Sequence, residues 1–354
     1  MVAPAPTETA LPFIDDVRQQ PSVLRELVDA YRTSQAAVLG RAAALLDGAS
    51  GRPLLVVGMG SSLTAGRVLP RDGRRVILLE DAGELLHYGL GMLGSVGAVL
   101  AISQSGRSYE TVAVVDRIRA SGIGIPVVAL VNDLASPLAV AADVALPLLA
   151  GSEANVASKT YVAAVAVLLM LDAGGLEPGL AADMLRTADA MDALAAAPDA
   201  AAAAILLGGC ASLCMVGRGP GLGTANYAAL TTKECSAVPA EPLTGGAFRH
   251  GPMEIAGPQT GVVVIAPDGP TAALGAGLAG ETAALGSPTW LLAGAGAPVP
   301  VGDNLLVTRL PDLPEPLAAL AAIVPIQLAV AGIATAAGRE PGLTIIATKV
   351  TDRE

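Results

Sequence analysis

The chain has 354 residues, 53% of them hydrophobic, so it can bury a large core and is long enough for two domains. Only 2% of residues are aromatic while 41 are glycine; a core of small aliphatic side chains packing helices on sheets follows, which suits α/β architecture. The formal charge of -11, without any run of Lys or Arg to form a basic stripe, argues against a nucleic-acid partner.

Met1 to Leu11 carries Pro and acidic residues where a signal peptide would need positive charge and an apolar core, so the chain reads as unprocessed and cytoplasmic. Ile14 to Leu46 has helical spacing, with Pro21 expected at a break, and ends in the turn-forming cluster Asp47 to Pro53. After this helical lead-in, Leu54 to Val57 reads as a strand running into Gly58-Met59-Gly60-Ser61-Ser62 and a helix. Further strands are expected at Arg75 to Leu79, at Gly97 to Ile102 before Ser103-Gln104-Ser105-Gly106, and at Pro126 to Val131 after a helix at Tyr109 to Ala120. Strands alternating with helices imply right-handed crossovers and a parallel sheet.

The same grammar returns later. Leu213 to Val216 feeds Gly217-Arg218-Gly219-Pro220-Gly221, Gly261 to Ala266 feeds Pro267-Asp268-Gly269, and Leu317 to Ala336 reads as one long apolar helix. Laying Gly58 on Gly217 puts Ile102 on Gly261 and Ser158 on Leu317, which indicates a duplication joined near Ala195 to Ala204. Mean hydropathy is +0.59, highest around Ala318 to Gly338. Pro325 and Gln327 interrupt that stretch, and a spanning helix needs about 20 predominantly apolar residues, so a buried core helix is expected. Cys210, Cys214 and Cys235 fit neither a disulfide framework nor a zinc spacing and read as small core residues; no metal site is expected.

The string Ser103-Gln104-Ser105-Gly106-Arg107-Ser108 places three hydroxyls, an amide and several backbone N–H groups where a strand meets a helix N-terminus, a setting that favours an anion. Hydroxyl-rich turns also cap helices without binding anything; the position at the carboxyl end of a parallel strand favours the ligand reading. Gly58-Met59-Gly60 is not a dinucleotide fingerprint, because the third glycine comes at Gly66 and no acidic residue follows at the ribose position. Lysine is rare: Lys159, Lys233 and Lys349 stand among 21 basic side chains. Lysine can shift its pKa and exchange a proton where arginine cannot, so these are candidate site residues. Of the two histidines, His87 lies in a helical surface pattern and reads as structural, whereas His250 ends a glycine-rich loop that can aim it into a cleft.

Five strings in order, Ser103-Gln104-Ser105-Gly106, Gly151 to Ser158, Lys233-Glu234, Ala240-Glu241 and His250-Gly251-Pro252, resemble the signatures of the tandem sugar isomerase (SIS) domains of the glucosamine-6-phosphate synthase family. The resemblance implies two doubly wound, flavodoxin-like α/β domains, with bounds expected at 1–47 for the helical segment, 48–195 and 196–340 for the domains, and 341–354 for a tail that closes on the site. It implies a phosphate held by Ser103, Gln104, Ser105 and Ser108, and a sugar lined by Ser61, Ser62, Val156, Ser158 and Thr348. Glu234 would carry a proton between C1 and C2, His250 would open the ring of a neighbouring subunit's sugar in a dimer or higher oligomer, and Lys349 would close over the sugar. No cofactor is implied. Departures from the pattern are Arg107 in place of an acidic residue, Thr231 in place of a lysine, and the absence of a cysteine directly after Met1, so glutamine-dependent synthesis is not expected. The functions implied are glucosamine-6-phosphate deaminase or isomerase, fructosamine-6-phosphate deglycase, or a non-catalytic sugar-phosphate sensor.

Overall fold

The computed structural model describes residues 12–49, 51–69, 75–346, 349 and 351; the expectations for Met1 to Leu11 and for Thr348 lie outside them. A first sheet is built from β1 (Leu54–Gly58), β2 (Ile77–Asp81), β3 (Ala98–Ile102), β4 (Val127–Val131) and β5 (Val144–Pro147), and a second from β6 (Ser212–Gly217), β7 (Ala240–Thr244), β8 (Thr260–Ala266), β9 (Thr289–Ala293) and β10 (Leu305–Arg309). Their orders, β2-β1-β3-β4-β5 and β7-β6-β8-β9-β10, are the same arrangement twice, and every pairing is parallel. Both sheets are therefore doubly wound, each with a switch point beside its founding strand, β1 or β6.

Central strands are buried on both faces, which is why they read as unbroken apolar runs. In β1, Leu54 and Val56 join one continuous core between the sheets, while Leu55 and Val57 face a separate outer cluster. The shared core takes in the helices Lys159–Asp172, Pro220–Ser236 and Ile323–Ala336. Cys210, Cys214 and Cys235 are free and buried. The stretch Glu315–Ala336 is long and apolar enough to cross a membrane, but 89% of its apolar window is buried inside the fold.

Several expectations are corrected. The first helix, Phe13–Arg32, runs straight through Pro21. Proline removes the N–H that would bond the Val17 carbonyl, and Gln20 Nε2 donates to that carbonyl instead at 3.0 Å. The second strand starts two residues later than Arg75 and extends to Asp81, whose carboxylate accepts from the N–H groups of Gly83 and Glu84. The apolar C-terminal helix is two helices, Glu315–Ala321 and Ile323–Ala336, meeting at Ala322. The 159-residue offset holds for Gly58 and Gly217 only. Gly58 pairs with Ile102, but Gly217 pairs with Ile265, four residues beyond Gly261, so the second copy has slipped between its first and third strands.

Candidate active site

Above the carboxyl ends of β1 and β3 lies a cleft of about 300 Å³, at the switch point of the first sheet. One wall is the turn after β1. Gly58 has no room for a side chain, since a Cβ there would lie 2.8 Å from the Ile102 carbonyl oxygen. Gly60 has φ of +50°, the left-handed region that glycine adopts without strain. The turn thereby presents Ser61 and Ser62 on the first turn of helix Gly60–Ala65, both facing the cleft.

The opposite wall follows β3. Gly106 is at φ +62°, and a Cβ there would sit 2.0 Å from Ser136 Oγ, so only glycine permits this bend. The bend brings Gln104, Ser105 and Ser108 to the cleft at the start of helix Tyr109–Ser121. Ser108 occupies the N-cap position but its hydroxyl caps nothing; it meets Ser103 Oγ at 3.0 Å instead. Ser103 itself is 2% exposed and stands behind the wall rather than in it. Hydroxyls not spent on capping, placed at the N-terminus of a 13-residue helix, can accept an anion.

The remaining walls come from the loop after β5, from the second half and from the tail. Helix Pro220–Ser236 lies against helix Gly60–Ala65 and contributes Leu230 and Glu234. Burial pushes the Glu234 carboxyl up to about 7, against the smaller opposing pull of Lys233 and Lys349. Lys349 donates to the carbonyls of Glu153 and Ala154 and lies 3.3 Å from Glu153 Oε2. The tail is pinned at two more points: Asn155 Nδ2 donates to Thr344 Oγ1 at 2.9 Å, and Tyr109 N–H to the Thr351 carbonyl at 3.1 Å.

Glu153, which sequence reasoning quoted only as part of a string, is the hub of this loop. Its carboxylate accepts from Ser158 N–H, Ser158 Oγ, Thr160 N–H and Thr160 Oγ1 at 2.7–3.1 Å. Ser158 is consequently turned inward and fully buried, and Val156 is 1% exposed; neither forms the cleft wall, where Glu153, Asn155 and Ala157 stand in their place. Lys159, a candidate for chemistry, is instead a buried structural cation paired with Asp16 at 2.9 Å. His250 lies on an exposed turn after helix Gly245–Arg249 and is not among the residues lining this chain's cleft. The structure thus unites Ser61, Ser62, Gln104, Ser105, Ser108, Glu234 and Lys349.

A tandem of parallel α/β sheets with one hydroxyl-lined switch-point cleft defines a small-molecule-binding class of doubly wound proteins. Residues 52–173 match the family model described as SIS domain, so this part of the chain is an SIS domain. It is 36% identical over 282 residues, 72% of its own length and 43% of the relative's, to the isomerizing glutamine–fructose-6-phosphate aminotransferase of Aeropyrum pernix. The chain spans about half the length of the curated relatives it matches. Its fold superimposes on the C-terminal domain of glucosamine-fructose-6-phosphate aminotransferase from Francisella tularensis with TM-score 0.78 and 20% identity, covering 95% of this chain and 99% of that one. Against glucosamine-6-phosphate deaminase from Thermotoga maritima the TM-score is 0.72 with 18% identity, covering 96% and 98%.

Proposed function

We propose that the chain is an amino-sugar-phosphate deaminase and isomerase, converting glucosamine-6-phosphate and water to fructose-6-phosphate and ammonia. The observation that carries this reading is Glu234, a half-buried carboxylate whose pKa of about 7 suits a base working near neutrality, in one cleft with the hydroxyl cradle and Lys349. The cradle would hold the phosphate, fixing the distance from C6 to the reacting carbons. With the ring open, Glu234 would take the proton from C2 to leave an enolamine and return it to C1. Water would then add to the resulting C2 imine and expel ammonia. Lys349 would cover the intermediate, its tail already tied down on both sides of the cleft. A pure sensor needs the cradle but not a base of this pKa beside it.

A panel of phosphorylated amino sugars and fructosamines, assayed for ammonia and free amino acid, tests the assignment. Ammonia from glucosamine-6-phosphate is expected; free amino acid from fructosamine-6-phosphates would make the chain a deglycase, and binding without turnover of any member would make it a sensor.

Ring opening needs a group that exchanges protons near neutrality, and His250 is the candidate even though it stands outside its own chain's cleft. The reading therefore requires a second copy to supply it, and the active species is expected to be a dimer or larger. Light scattering that finds full activity in a 35.0 kDa monomer would sink this arrangement.

A further inference from the structure

We propose that Glu110 is the residue that makes the cleft select ligands carrying an ammonium group together with a phosphate; the proposal rests on the amino-sugar reading given above. Glu110 lies in the first turn of helix Tyr109–Ser121, two residues past the cradle hydroxyl of Ser108, and it lines the cleft. Its Oε2 is buried and has no hydrogen-bond partner among the described residues. Its stem is set against the turn that follows β2, where a Cβ on Gly83 would touch Glu110 Cγ at 3.8 Å.

The charges around the cleft give this carboxylate its meaning. Among the described residues that line the cleft, Lys349 is the cation beside Glu153, Glu110 and Glu234, with Lys233 acting on Glu234 from outside the lining, and Lys349 is already held by Glu153 and its neighbouring carbonyls. Burial holds the Glu234 carboxyl up at about 7, so it carries its charge less readily than an ordinary glutamate near neutrality. Glu110 Oε2 is thus left without a hydrogen-bond partner among the described residues, beside the loop that would receive a dianionic phosphate. A neutral sugar phosphate would bring more negative charge to that spot and offer Glu110 only hydroxyl protons. A ligand with an ammonium offsets both charges and forms a charge-assisted hydrogen bond, roughly twice as strong as a neutral one. Glu110 touches no reacting carbon in this scheme; it determines specificity, while Glu234 carries the proton.

Calorimetry in the Glu234→Gln background, where turnover does not interfere, compares glucosamine-6-phosphate with glucose-6-phosphate, which differ only in amine against hydroxyl. The parent is expected to bind the amine at least about tenfold more tightly. Glu110→Gln should abolish that preference by weakening the amino sugar while leaving glucose-6-phosphate unchanged or tighter, and Glu110→Asp, which keeps the charge, should retain it. Equal losses for both ligands, or a preference that survives Glu110→Gln, overturn the proposal. A parent that binds neither ligand overturns it together with the amino-sugar reading. If the preference tracks Glu110 but the wild type releases no ammonia, the inference stands and the deaminase assignment alone falls.

Discussion

Glu234→Gln is expected to lower kcat on glucosamine-6-phosphate by at least about 10²–10⁴-fold while leaving affinity for the sugar phosphate within a few-fold. Glutamine keeps the size and much of the hydrogen bonding of the carboxylate but cannot take a proton. Deuterium placed at C2 separates chemistry from binding: the wild type should move or wash out the label, whereas the variant should leave it in place. A variant that turns over at the parental rate with the label still moving would show that another group is the base. The raised pKa also fixes two pH profiles. Because the ionised form is the base, wild-type kcat should climb with pH through an acid limb near 7. For stability the sign is opposite: an unfolded glutamate titrates near its ordinary 4.5. Between 4.5 and 7 the folded state holds the extra proton, and stability falls as pH rises through this window by up to about 3 kcal/mol. Glu234→Gln, which is never charged, should therefore resist denaturant better than wild type at pH 8 and no better at pH 4. A difference of equal size at both pH values would mean that the carboxylate is not strained by burial.

Lys159→Met is expected to destabilise the fold by about 3–5 kcal/mol, the cost of stranding a buried charge. Lys159 and Asp16 are 3% and 0% exposed, and their ion pair is 2.9 Å long. Lys159 also donates to Gln19 Oε1 and the Ser152 carbonyl, while Asp16 Oδ2 accepts from Ala154 N–H at 2.7 Å. Removing the ammonium leaves Asp16 ionised and unsolvated, or forces it to take a proton. The double variant Asp16→Asn with Lys159→Met removes both charges and should recover most of the loss, because a buried pair is often replaceable as a unit even when neither partner is replaceable alone. Urea denaturation of the four proteins gives the coupling energy directly. Additive losses would mean that the two groups act separately. Since Ser152 and Ala154 flank Glu153, the single variant should also loosen the anchor of Lys349 and raise KM more than the double variant does.

Local signals carried a large part of this molecule. Alternating apolar runs and helical spacings located β1, β3, β4, β6 and β8 within a residue or two, because strands buried on both faces must be apolar throughout. The bends at Gly58 and Gly106 were legible for a similar reason: a tight strand-to-helix turn needs glycine wherever it occurs. Of the edge strands, β2 was placed two residues early, and β5, β7 and β10 were missed. β7 contains Pro242 and β10 is only half covered, so neither carries the central-strand pattern.

The serines of Ser103 to Ser108 stood out as a short polar string in an apolar chain and Glu234 came from the family resemblance alone, yet which hydroxyls reach the cleft was decided by packing. Ser103 and Ser158 look as available as Ser105 and Ser108 in the sequence, and one is walled in while the other is consumed by Glu153. The contacts that fix the site join residues far apart in the chain. Asp16 holds Ala154 across 138 positions; Gln20 bonds Gln327 across 307, and Gln327 bonds the Tyr227 hydroxyl that donates to the Ala157 carbonyl. Composition and periodicity record what each segment will become. They hold no trace of which distant polar group will satisfy which, because that pairing is settled only when burial removes water as the alternative partner.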